Sequence, residues 1–154
     1  MKWIAALALL ALATAAQAAP QTPKAMVQDV YRRLIDASVH DKGYEPPDSF
    51  YSPRLKRLAA DARTAAGGDV PCGLDFDIWF DGQEYDMTHA DVAELPGSTA
   101  TKQTIEARFV SLKEAHDMRF TFRRIAGRWR LDDAEAVLGH RWVFSKLLQC
   151  KEVP

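Results

Sequence analysis

Two stretches in the first half of the chain repeat apolar residues at the three- and four-residue spacing of an amphipathic helix. Thr22-Pro23 opens the first stretch with a capping residue and a proline at the first helical position. Ser52-Pro53 repeats that signature, and Gly67-Gly68 provides a stop for the second stretch. The pattern predicts one helix that ends near Val39, a loop over 41–48, and another helix that ends before the glycine pair.

Beyond Cys72 the apolar period changes from helical to two, which is typical of half-buried strands. Over 75–80, Phe76, Ile78 and Phe80 alternate with Asp75, Asp77 and Trp79, which predicts a strand or an extended segment. Asp81-Gly82 is a turn signal, and a longer extended stretch is expected over 84–95.

Three clearer strands follow and predict an antiparallel meander. Polar turns are expected at 113–117 and at Gly127, and a short helix from about Arg141 to Gln149 closes the chain. Each strand should direct alternate apolar side chains to the core, namely Ile105, Ala107, Phe109, Met118, Phe120, Phe122, Trp129 and Leu131. The order of elements predicts an α+β fold with N-terminal helices packed on an antiparallel sheet and a short C-terminal helix.

The N-terminus has the three parts of an export signal. Lys2 precedes an apolar run, and Ala16-Gln17-Ala18 is a small-x-small cleavage signal. The run is shorter than the ~20 residues that a membrane span needs, so no stable membrane anchor is expected. We therefore predict a signal peptide over 1–18, cleavage after Ala18, and a single mature domain over 19–154 that is periplasmic or secreted.

Charge and cysteine content narrow the possible partners. The formal net charge is −1 and becomes −2 without the single lysine of the signal peptide, which argues against nucleic acid as a partner. Cys72 and Cys150 are the two cysteines of the chain. An even count in an oxidising compartment favours a disulfide between them.

Neither a metal nor a cofactor is predicted. The four histidines are scattered, and His40 and His116 are expected to be exposed at a helix end and in a turn. Counted from Asp75, the fifth and sixth positions of a calcium loop would be Trp79 and Phe80, so that match fails.

An arginine-rich run, Arg119 to Arg130, is expected on the outward face of the meander. Glu106 would pair with Arg123 across a four-residue loop, and Asp132 would reach Arg119 or Thr121. An anionic partner is the functional alternative for this run.

The residues Tyr51-Ser52-Pro53-Arg54-Leu55, Val70-Pro71-Cys72, Asp75-Phe76-Asp77 and Asp81-Gly82-Gln83 resemble a family of exported bacterial proteins of unknown function. Together with the meander and the strand Gly127 to Asp133, they are similar to the NTF2-like (cystatin-like, cone-shaped) superfamily. The resemblance covers nearly all of the mature chain and implies a curved sheet and covering helices that enclose a cavity.

A concave site of that kind often binds a small molecule. The candidates to line it are Tyr31, Asp77, Trp79, Gln83 and Tyr85. We expect a non-catalytic binding domain for a small molecule or an envelope protein. Two alternatives stay open: a hydrolase or isomerase with a buried Asp77 as base, and an inhibitor or immunity-type protein that uses the loop 41–48.

Overall fold

The computed structural model describes residues 21–39, 43–69 and 74–150. Over these ranges the chain is an α+β fold with three helices and one five-stranded antiparallel sheet. The predicted signal peptide and Cys72 lie outside the described residues. Export and the disulfide with Cys150 therefore stay predictions, and the intact mass with and without reductant would check the latter.

The two N-terminal helices confirm the capping signals of the sequence. Helix α1 spans Pro23–Val39, and the Thr22 hydroxyl accepts a hydrogen bond from the Ala25 amide. A single 3₁₀ turn at Asp48–Phe50 precedes helix α2, Pro53–Ala65. Ser52 caps α2 by accepting from the Leu55 amide, and the chain leaves this helix through Gly67 and Gly68 with positive φ.

The strands run in chain order across the sheet. They are β1 (Ala90–Glu94), β2 (Lys102–Ser111), β3 (Glu114–Ile125), β4 (Arg128–Ala136) and β5 (Trp142–Val143), and each pairs with the next. The predicted inward residues of β2 and β3 are buried, and so is Leu131 of β4. Tyr31 of α1 contacts the rings of Phe109 and Phe120 on that face. No helix among the described residues has both the length and the apolarity needed to cross a membrane.

The turn between β2 and β3 is shorter than predicted. Its two residues, Leu112 and Lys113, both have positive φ, and Ser111 pairs directly with Glu114. Positive φ at both positions suits a tight two-residue hairpin loop, whose twist matches that of the strands. The register therefore sets Glu106 opposite Arg119, and the predicted pairing of Glu106 with Arg123 is wrong.

Strand β4 contains a bulge that the alternation did not predict. Thr121 pairs with Asp133 while Phe122 pairs with Leu131, so Asp132 has no backbone pairing partner on β3. Asp132 is buried and accepts hydrogen bonds from Ser52 and Arg123. The predicted contact of Asp132 with Arg119 or Thr121 is wrong because the extra residue shifts the register at this point.

The segment 75–80 does not form a strand. Ile78, Trp79 and Phe80 are consecutive buried residues, whereas a strand would direct them to alternate faces. The Trp79 amide donates to the Asp77 carboxylate, and the Asp81 amide donates to the Asp77 carbonyl. These local bonds close a turn from Asp77 to Gly82 and replace the ladder of a strand.

The C-terminal helix is shorter than expected. Trp142 and Val143 form β5 against β4, and helix α3 covers only Phe144–Leu147. Ser145 donates its hydroxyl and its amide to the Asp133 carboxylate. Pairing with β4 holds Trp142 and Val143 extended, which delays the start of the helix.

Candidate functional site

A groove of about 600 Å³ lies where α2, α3 and the turn from Asp77 meet. One wall is a face of α2 and another is the segment that leads into the turn. Its apolar lining residues are Leu55, Ala59, Ala60, Leu74, Phe76, Ile78, Trp79, Phe144 and Leu148, and its polar ones are Glu45, Asp48, Tyr51, Lys56, Arg63 and Asp77. Apolar walls with a few polar groups are the usual composition of a small-molecule site.

The carboxylate of Asp77 is held in the groove by its own turn. Oδ1 accepts the Trp79 amide at 2.7 Å, and the Asp77 amide donates to the Gly82 carbonyl. The bond between Oδ1 and an amide two residues ahead is an Asx turn, which a short acidic side chain favours. The turn therefore fixes where this carboxylate lies.

Burial and charge both perturb the polar groups of this groove. Desolvation raises the pKa of Asp77 above its usual range; the Trp79 amide opposes that shift, and the charge of Glu45 adds to it. Burial also raises the pKa of Tyr51 to about 12, so its phenol keeps its proton at neutral pH. The Tyr51 hydroxyl accepts a long hydrogen bond of 3.4 Å from the Trp79 indole.

Two of the predicted pocket residues belong to the core. Tyr31 is buried, and its hydroxyl donates to the Trp79 carbonyl at 2.6 Å. The Trp79 ring stacks on Phe120 with 4.5 Å between ring centroids. Of this pair, only Trp79 also lines the groove, where it forms part of the floor.

Gln83 and Tyr85 lie away from the groove. The Gln83 amide donates to Asp75 from an exposed position. The Tyr85 hydroxyl donates to the Leu34 carbonyl at 3.1 Å and so links α1 to the segment after the turn. Of the five predicted lining residues, the structure therefore places Asp77 and Trp79 in one groove.

Tyr51 and the α2 face are the parts of the groove that sequence reasoning missed. Tyr51 directly precedes the predicted cap Ser52, so its side chain had to lie beside the start of α2. Lys56, Ala60 and Arg63 recur at helical spacing beside the predicted apolar stripe of α2. That spacing is the signal that could have identified this wall.

A second cavity, of about 430 Å³, lies at the other end of the same turn. Asp81 accepts the Trp142 indole N–H at 2.5 Å, and its other oxygen is 3.6 Å from Nδ1 of His116. His116 stacks on Phe109 and is mostly buried, so its predicted exposure is wrong. The short hairpin explains the error, because His116 belongs to β3.

Two arginines of the arginine-rich run, Arg119 and Arg123, pair with acids of the sheet. Arg123 contacts Asp132 at 3.0 Å, and Arg119 lies 3.6 Å from Glu106. Glu106 also contacts Arg108 at 2.8 Å. Internal neutralisation of this kind leaves less positive charge for an anionic partner.

Within 21–39, 43–69 and 74–150, no group of three or more His, Cys, Asp or Glu residues could hold a metal ion. Comparison with known proteins found no match: no family model, no curated protein and no solved structure is similar enough to carry a family or an activity over to this chain.

Proposed function

We propose that this protein is an exported binding domain of NTF2-like form that holds a small amphipathic molecule in the groove beside Asp77. The observation that carries the proposal is the composition of that groove. Leu55, Phe76 and Phe144 supply apolar walls, while Asp77 and Tyr51 offer a carboxylate and a phenol. A ligand with an apolar body and one or two hydrogen-bonding groups would complement both the apolar walls and the polar side chains.

The interior face of the sheet offers less room for a ligand. Tyr31, Trp79 and Phe120 contact one another there, and Phe50 packs edge-on against Trp79. Because aromatic rings occupy this space, we expect the binding site to lie further out, in the groove formed by α2 and the turn. The proposed ligand therefore lies against the outer edge of the aromatic core.

The size of the groove can be changed at one residue of α2. Ala59 lines the groove and is partly buried, so Ala59→Trp would occupy it. Thr64 is exposed on the same helix and does not line the groove, which makes Thr64→Trp the matched control. Wild-type protein, expressed with its signal and purified gently, is expected to carry extra mass in native mass spectrometry.

The Thr64→Trp variant should keep that mass and Ala59→Trp should lose it. A clean apo mass for the wild type, or equal loading of both variants, would contradict binding in this groove. The same spectra test export, because the mature chain should begin at Ala19.

The raised pKa of Asp77 favours one second candidate, a hydrolase or isomerase in which Asp77 accepts a proton. This activity predicts a chemically altered ligand in the recovered material, and Asp77→Asn should prevent the alteration. Recovery of the same unaltered compound from wild type and variant would favour binding alone.

A further inference from the structure

The carboxylate of Asp77 has a single hydrogen-bond donor among the described residues. Oδ1 accepts one backbone amide, and Oδ2 accepts no hydrogen bond from any described residue. Nor does a Lys, Arg or His of the described ranges lie within 4.0 Å of this carboxylate. This partly buried carboxylate therefore lacks the cation that ordinarily compensates the charge of a desolvated acid.

The charges that face the groove do not fill this role. Glu45 and Asp48 add further negative charge on the side of the 3₁₀ turn. Lys56 and Arg63 line the groove from α2, yet neither forms an ion pair with Asp77. The charge that acts on the pKa of Asp77 is that of another acid, Glu45, and it adds to the larger effect of desolvation.

A positively charged group of a ligand would complement this site in two ways. It would form a charge-assisted hydrogen bond with the free oxygen of Asp77, and it would offset the repulsion from Glu45. A neutral hydroxyl could make the hydrogen bond without the second benefit, and a carboxylate ligand would add a fourth negative charge to those of Glu45, Asp48 and Asp77. Charge complementarity thus distinguishes three ligands that share one apolar body.

We propose that the groove selects small amphipathic amines, with the ammonium group on Asp77 and the apolar body between α2 and the turn. This inference rests on the proposed function, since it names the ligand class of the same groove. Leu55, Ala59 and Phe76 receive the apolar body, and the protonated amine donates to Oδ2 of Asp77.

The test is calorimetric titration of the full mature protein at pH 7.4 with octylamine, 1-octanol and octanoate, each below its aggregation concentration. These probes have equal chain length and differ in the charge of the head group. Octylamine is expected to bind at least about tenfold more tightly than 1-octanol, and octanoate should be weakest. Asp77→Asn should reduce the affinity for octylamine to that for 1-octanol, while Asp48→Asn should keep most of the preference.

The outcomes separate the two proposals. Equal affinities for the three probes in the wild type would overturn the selection of amines and leave binding in the groove standing. Absence of binding by all three would overturn the groove as an apolar site, and the inference with it. A preference for octylamine that survives Asp77→Asn would also overturn the inference, because another acid would then receive the amine. The wild-type comparison decides even if a variant fails to fold.

Discussion

Asp132 is buried and Asp77 is partly buried, and their carboxylates differ in the partners that they have. Both side-chain oxygens of Asp132 are used: one accepts the Ser52 hydroxyl at 2.7 Å, and the other accepts Arg123 at 3.0 Å. Arg54 adds a hydrogen bond to its backbone carbonyl. Asp77 has one amide from its own turn and no cation.

The carboxylate of Asp132 connects distant segments of the fold, whereas, among the described residues, that of Asp77 makes hydrogen bonds only within its own turn. Asp132 joins the capping residue of α2 to the bulge of β4, two points 80 residues apart in the chain. Asp77 joins only neighbouring residues of one turn. Since a desolvated charge costs free energy unless it is compensated, the carboxylate of Asp77 is expected to support the fold less than that of Asp132 does.

Removal of the Asp132 side chain is expected to have the largest effect on stability. Asp132→Ala should lower the free energy of unfolding by about 2–3 kcal/mol, because charge-assisted hydrogen bonds are lost and the buried Ser52 hydroxyl loses its acceptor. Urea unfolding of variant and wild type at neutral pH measures the difference.

Asp132→Asn is the matched control, since it keeps an acceptor for Ser52 and removes the charge. It should lower the free energy of unfolding by about 1 kcal/mol. A loss below about 0.5 kcal/mol for the alanine variant would contradict the difference drawn between Asp132 and Asp77, because Asp132 would then not hold α2 and β4 together.

The link between α1 and the turn should have the next largest effect. Tyr31→Phe removes the buried hydroxyl that donates to the Trp79 carbonyl, and a decrease of about 1–2 kcal/mol in the free energy of unfolding is expected. Tyr85→Phe removes a similar bond to the Leu34 carbonyl at a partly exposed position. Water can reach that position, so the decrease should be smaller, about 0.5 kcal/mol.

Chemical denaturation of the two tyrosine variants checks this ranking. An equal loss for both would mean that the buried bond to Trp79 does not hold the turn more firmly than its exposed counterpart. The groove beside Asp77 would then have a less rigid floor than the structure indicates.

The helix starts and the inward face of the meander could be predicted from the sequence because both depend on local pattern. Ser52 caps α2 at the position that its hydroxyl side chain and the proline after it predict. Phe120 and Phe122 are fully buried, as the period of two requires. Capping and alternation act over a few residues, so one chain suffices to reveal them.

Register and turn closure could not be predicted in the same way. The bulge at Asp132 depends on Ser52 and Arg123, which lie far from one another in the chain. Residues 75–80 do not form the strand that their alternation predicts, because the Asp77 side chain accepts a hydrogen bond from an amide of its own turn. The bulge follows from tertiary contacts that composition and spacing do not encode, whereas the turn follows from a local side-chain bond that competes with the strand pattern.

The candidate site was predicted in part for the same reason. Asp77 and Trp79 are close in sequence, and one turn brings both to the groove. Tyr31 and Tyr85 instead use their hydroxyls inside the fold, where each donates to a backbone carbonyl. The helical spacing of Lys56, Ala60 and Arg63 marks this face of α2, but the packing of that helix beside the turn is a tertiary contact that the spacing does not show.

The most direct test of the central claim is the pH dependence of stability in Asp77→Asn. Because the native pKa of Asp77 is raised, ionisation costs the folded state more than the unfolded chain. The contribution of Asp77 to wild-type stability should therefore fall as pH rises from the usual carboxyl range through its native pKa. Asn lacks this ionisation while it still accepts the Trp79 amide.

Asp29→Asn provides a control of opposite sign. Hydrogen bonds from Arg33 and Arg32 lower the pKa of Asp29, so its carboxylate stabilises the native state above the usual carboxyl range. That contribution is lost as pH falls through the native value. As pH rises from acid to neutral, Asp29→Asn should therefore become progressively less stable than wild type.

Urea unfolding of wild type and Asp77→Asn at several values between pH 3 and pH 7.5 gives the decisive measurement. The account predicts equal stability at the acid end and a more stable variant at neutral pH. A variant that is less stable than wild type at neutral pH would contradict the claim, because the charge of Asp77 would then support the fold.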